Sequence, residues 1–93
     1  MFKTNSYFDE KVFSIAFDSN EGKATIGVMA AGEYTFGTTS KEYMTVISGE
    51  MEVQLPGEST WKTYKPYEMF KVEANQSFNV KVGVDTSYKC IYK

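Results

Sequence analysis

GVMAAGEYTFGTTSKEYMTVISG, residues Gly27 to Gly49, decides how the rest of the chain folds. Tyr34, Phe36 and Thr38 alternate with Glu33, Thr35 and Gly37, which puts the two aromatics on one face of an extended strand. A polar loop follows at Thr39-Ser40-Lys41. Glu42 then opens a run of β-forming residues, Tyr43-Met44-Thr45-Val46-Ile47, that stops at Ser48-Gly49. It is the one acid directly abutting an otherwise apolar β-run, so strand polarity and pocket chemistry are both set here.

The two-residue period continues on either side. Residues 1–10 read as an arm packed on the domain. From Lys11 to Phe17, Phe13, Ile15 and Phe17 face one way and Val12, Ser14 and Ala16 the other, a strand whose greasy face carries the larger side chains. Asp18 to Gly22 is a hairpin loop and Lys23 to Ala30 its partner strand. Met51, Val53 and Leu55 alternate with Glu50, Glu52 and Gln54, one face buried and one wet. Phe78, Val80 and Val82 share a face, as do Tyr88, Cys90 and Tyr92. Eight to ten short strands at intervals of about 8–12 residues is the rhythm of a sandwich or barrel. No segment sustains a helical period. The expectation is one all-β domain spanning residues 1–93.

Charge narrows the partners. The net charge is −2, and the ten cations are all lysine. Without arginine there is no planar fork for bidentate phosphate or guanine contacts, and without histidine no imidazole for a metal. The lysines are scattered, which argues against nucleic acid. Cys90 is alone, so no internal disulfide forms. The first twelve residues lack the apolar core of a signal peptide and no segment approaches membrane-spanning length, so a cytoplasmic protein without membrane contact is expected.

Glu42 followed by Gly49 resembles the second half of the first cupin motif. Counted on that motif, its two histidines fall at Phe36 and Thr38, and the histidine of the second motif falls near Phe70. A fuller resemblance lies in the order of Tyr7-Phe8, GVM at 27–29, GEYTF at 32–36, MTVISG at 44–49, Trp61, Tyr64 and Thr86-Ser87-Tyr88. These runs resemble the small bacterial cupin-type pyrimidine/purine nucleoside phosphorylases across essentially the whole chain. The resemblance implies a cupin-like jelly-roll β-barrel. It also implies cleavage of purine and pyrimidine ribonucleosides by phosphate to free base and ribose 1-phosphate. The chain departs from the family pattern at Ile91, where a basic residue is implied near the last strand, leaving Lys89 or another lysine to serve.

With phenyl rings and a threonine at the inferred ligand positions, a metal-free pocket is expected, with inorganic phosphate as co-substrate and no other cofactor. Glu42 is the candidate catalytic group, because a carboxylate stabilises the oxocarbenium-like sugar of nucleoside cleavage. The candidate substrate-binding residues are Phe36, Thr38, Phe70 and Tyr88. Aromatic faces, including Tyr92, stack on any base. Lys41 with Thr39 and Ser40 is the candidate phosphate-binding loop, through hydroxyls, an ammonium and backbone N–H groups. Tyr43, Tyr88 and Cys90 stand as alternative proton donors to the leaving base. A non-catalytic cupin that holds a sugar-like or nucleotide ligand is the alternative function. Small cupins usually pair, so a homodimer is expected, with Ile47 or Phe13 supplying an apolar patch.

Overall fold

Ten strands form in the computed structural model, which describes residues 2–93: β1 Lys3–Tyr7, β2 Val12–Ser19, β3 Gly22–Met29, β4 Gly32–Gly37, β5 Glu42–Ser48, β6 Met51–Gln54, β7 Lys62–Tyr64, β8 Met69–Val72, β9 Ser77–Val82 and β10 Thr86–Tyr92. They build two antiparallel sheets. One has six strands in the order β1-β2-β3-β10-β5-β8, the other four in the order β4-β9-β6-β7. No helix is long and apolar enough among the described residues to cross a membrane.

The all-β, cupin-like jelly roll expected from the sequence is what forms. The two sheets pack face to face and do not close into a continuous barrel, since no backbone ladder joins them among the described residues. Side chains of the two inner faces interdigitate instead, as in any sheet-on-sheet core. Met29, Val46, Met51, Val53, Phe78 and Val80 are at the centre, each almost fully buried. The segment read as an arm is β1, paired along its length with β2 from Lys3 opposite Ala16 to Tyr7 opposite Val12.

Strand β2 faces the opposite way from the expectation. Val12 and Ser14 are buried, while Phe13 and Ile15 are 43% and 46% exposed. Register explains the reversal. Ser14 lies opposite Gly27 on β3, and Gly27 lies opposite Tyr88 on β10. The inner face of the sheet therefore carries a small residue, a glycine and a tyrosine in a row. A Cβ on Gly27 would collide with the Tyr88 ring, so the ring lies over the bare backbone. Phe13 and Ile15 turned inward would fill the space this row leaves open. Alternation alone could not choose between the faces, because both carry apolar side chains.

Gly49 performs the other essential turn. It joins β5 to β6 at φ +86°, and a Cβ there would run into the Thr86 hydroxyl. That close approach keeps the end of β5 against the start of β10, the two strands that carry the acid and the inward tyrosines.

Candidate functional site

The row of small residues leaves a cavity of about 530 Å³ between the two sheets. From the six-stranded sheet, Ser14, Glu42, Met44, Tyr88 and Tyr92 line it. From the four-stranded sheet come Thr35, Phe36, Gly37 and Phe78. Tyr7 and Phe8 form the rim, where β1 turns into β2. Phe36 stacks on Phe78 at 5.6 Å between centroids, and Phe8 meets the edge of Phe36 at 5.5 Å.

Glu42 is the one carboxylate in the lining. It opens β5, opposite Tyr92 of β10 and Val72 of β8. Its Oε1 accepts a hydrogen bond from the Cys90 thiol at 3.5 Å. No lysine comes within ion-pair distance of it among the described residues. Loss of hydration in the half-buried setting therefore raises its pKa above the usual carboxylate range, and the thiol contact offsets this only in part. Cys90 is itself pushed up by burial and by the Glu42 charge. It stays a thiol and donates to the carboxylate. Burial also raises the Tyr88 and Tyr92 phenols, so both remain neutral hydroxyls. Tyr92 Oη lies 3.0 Å from the Thr25 hydroxyl.

Of the residues singled out from sequence, the fold brings Glu42, Phe36 and Tyr88 into one chamber, with Tyr92 beside them. Phe70 does not reach it. That ring is buried one layer back, 4.9 Å from Tyr64 and 5.8 Å from Phe78. Thr38 points inward, but its hydroxyl is spent on backbone. It donates to the Glu73 carbonyl at 2.7 Å and accepts from the Gln76 N–H at 3.0 Å, stapling the loop to the turn before β9. Thr39 and Lys41 line neither this chamber nor its neighbour, and Ser40 faces the neighbouring cavity. Tyr43 faces the outside of the sheet beside Thr45, Met69 and Ile91 and does not line the chamber. Lys89 and Ile91 lie on that same outer face, with Lys89 3.5 Å from Glu21. The departure from the family pattern at Ile91 therefore leaves the chamber untouched.

Sequence reasoning missed Tyr7, Phe8, Ser14, Thr35, Gly37, Met44 and Phe78 as lining. Phe78 was legible in part, on a face shared with Val80 and Val82, and the fold sets it directly opposite Phe36. Ser14 was not, because it follows from the reversed face of β2. Among the described residues no three His, Cys, Asp or Glu side chains converge as a metal site would need.

Comparison with known proteins matches nearly the whole chain to one family. A family model described as pyrimidine/purine nucleoside phosphorylase matches residues 2–92. A protein of that name from Pseudomonas syringae pv. tomato is 57% identical over 93 residues, all of both chains. One from Saccharophagus degradans is 58% identical over 92 residues, covering 99% of this chain and 98% of its own. Among solved structures, a protein of unknown function from Vibrio parahaemolyticus superposes with a TM-score of 0.95 at 44% identity, covering 100% and 99% of the two chains. An RmlC-like cupin from Shewanella frigidimarina does so with a TM-score of 0.75 at 14% identity over 96% and 80%, a likeness of fold.

Proposed function

We infer the activity of this chain from its family: it belongs to the pyrimidine/purine nucleoside phosphorylases, and it cleaves purine and pyrimidine ribonucleosides with inorganic phosphate, releasing the free base and ribose 1-phosphate. The observation that carries this reading is identity above one half along the full length of relatives bearing that name. The chamber supplies a seat for the chemistry. The base lies against the Phe36, Phe78 and Tyr88 rings, which offer faces and few directional contacts, so many bases are accepted. The sugar points toward Glu42. As the bond from C1′ to the base breaks, positive charge grows on the sugar, and the ionised Glu42 stabilises it across a poorly hydrated space.

The reading needs no metal. Its support is the donor set, since the chain has no histidine and Glu42 has a thiol and phenols as polar neighbours. Phosphate is the co-substrate and no other cofactor enters. The same chemistry suits the cytoplasm, where nucleosides and phosphate occur together.

The working unit is a homodimer. Its support is the outer face of β2 and β3, where Phe13 sits opposite Val28 and Ile15 opposite Ile26, all of them exposed. Four exposed apolar side chains in one two-strand block gain by pairing with a second copy.

The test is direct. The protein is incubated with uridine, or with adenosine, with and without phosphate. Free base and ribose 1-phosphate appear only when phosphate is present. Absence of phosphate-dependent base release across several nucleosides removes the activity from this chain.

A further inference from the structure

We propose that the cavity on the far side of Tyr92, lined by Lys3, Lys23 and Ser40, is the subsite for the phosphate co-substrate. The proposal rests on the phosphorolytic reading above. It starts from a mismatch of charge. The chamber that holds the nucleoside contains one carboxylate and no lysine. An inorganic phosphate placed there would face Glu42 with no cation to offset it, and like charges in a poorly hydrated space repel strongly.

A second cavity, of about 630 Å³, has Tyr92 in its lining as the first does. Thr25 lines it too, and the hydroxyls of Thr25 and Tyr92, 3.0 Å apart, mark the partition. This side carries two lysines, Lys3 and Lys23, against one carboxylate, Asp18. Lys3, on edge strand β1, joins none of the ion pairs formed among the described residues. Lys23 makes one contact, at 3.3 Å to Asp18, with both side chains largely in solvent. An ammonium carries three donors, so that contact leaves two free. Ser40 adds a hydroxyl from the loop just before Glu42. Two ammonium groups and hydroxyl donors suit a phosphate better than an isolated lysine does.

The arrangement also orders the reaction. The base rests in the aromatic chamber and the sugar lies at the partition. Phosphate approaches C1′ from the lysine side, away from Glu42. A phosphate oxygen forms the bond to C1′ as the bond from C1′ to the base nitrogen breaks. The electron pair of that bond leaves with the base, which gains the proton the phosphate gives up. Tyr92, neutral and reachable from both sides, donates a hydrogen bond to the incoming oxygen while Glu42 meets the charge on the sugar.

The experiment separates this site from the activity itself. Steady-state phosphorolysis of uridine is measured in the wild type, Lys3→Ala and Lys23→Ala, varying phosphate and uridine independently. Each substitution raises the phosphate concentration for half-maximal rate about tenfold, the loss of one charge-assisted contact, and leaves that for uridine unchanged. Phosphate titrations of the same three proteins by ³¹P NMR, without nucleoside, show weaker binding in both variants. Unchanged phosphate dependence in both variants of an active enzyme overturns the proposal and leaves the phosphorylase reading standing. So does a Lys41→Ala variant that raises the phosphate requirement when the other two do not. If the wild type shows no turnover, the NMR titrations still decide: lysine-dependent binding of phosphate upholds the site, and its absence sinks it.

Discussion

Replacing Gly27 by alanine tests the register that makes the chamber. The methyl group would be built on the inner face of β3, directly under the Tyr88 ring. Tyr88 is buried on the strand that joins both neighbours, β3 and β5. Its backbone is pinned by two ladders, so the ring must give way. One direction is open to it, the space of about 530 Å³ it already borders. Forcing one carbon into a packed site typically costs about 1–3 kcal/mol. For a chain of this size that lowers Tm by roughly 5–15 °C. The displaced ring also takes space from the nucleoside, so KM for uridine rises in the fraction that stays folded. Denaturant unfolding gives the stability loss and steady-state kinetics the second effect. Shortening the ring in a Gly27→Ala/Tyr88→Leu double variant relieves the clash. The double variant is then more stable than the sum of the singles predicts, by about 0.5–3 kcal/mol. Strict additivity, or an alanine variant as stable as the wild type, would refute the Ser14–Gly27–Tyr88 row and with it the chamber.

Four further variants test other parts of the structure. Glu42→Gln keeps the shape and removes the charge, so kcat/KM falls roughly 100–1,000-fold. Because burial raises the folded-state pKa of Glu42, the acid limb of the wild-type rate profile lies above the usual glutamate range. The same shift means that Glu42 costs stability as pH rises from its unfolded value through its raised folded value. Glu42→Gln is therefore the more stable protein at neutral pH, and the gap closes in acid, as urea titrations at several pH values will show. Thr38→Val strands buried backbone groups at Glu73 and Gln76 and loses about 1–3 kcal/mol, while KM of the folded protein holds; a changed KM at unchanged stability would return Thr38 to the substrate. Phe8, Asp9 and Glu10 all sit at φ between 54° and 65°, so Glu10→Gly relieves a left-handed strain and raises stability by about 0.5–1 kcal/mol in chemical denaturation. Phe13→Lys places a charge in the exposed apolar block, and sedimentation then gives a monomer where the wild type gives a dimer.

Why some of this was legible and some was not has a physical cause. A strand with one apolar and one polar face declares its orientation, and Met51–Val53, Phe78–Val80–Val82 and Tyr88–Cys90–Tyr92 all point inward as the alternation requires. Strand β2 has apolar side chains on both faces. There the choice fell to a non-local fact, that Ser14 must sit beside Gly27 to admit the Tyr88 ring. The site divided along the same line. Glu42, Phe36 and Tyr88 come from strands with plain alternation and converge. Phe70 and Thr38, like Phe36, were also placed by counting along a motif, which finds inward positions but not depth. Both are inward, yet one is a layer too deep and the other is tied to a turn. The loop Thr39-Ser40-Lys41 looked suited to an anion because local composition shows donors, whereas an anion responds to every charge within reach, and β1 and β3 bring Lys3 and Lys23 to the same wall from about twenty residues or more away in sequence. An anion site of the kind proposed, assembled by sheet topology, would escape a reading that moves along the chain. Here the absence of arginine made the problem harder, because isolated lysines carry no motif that marks which of them converge.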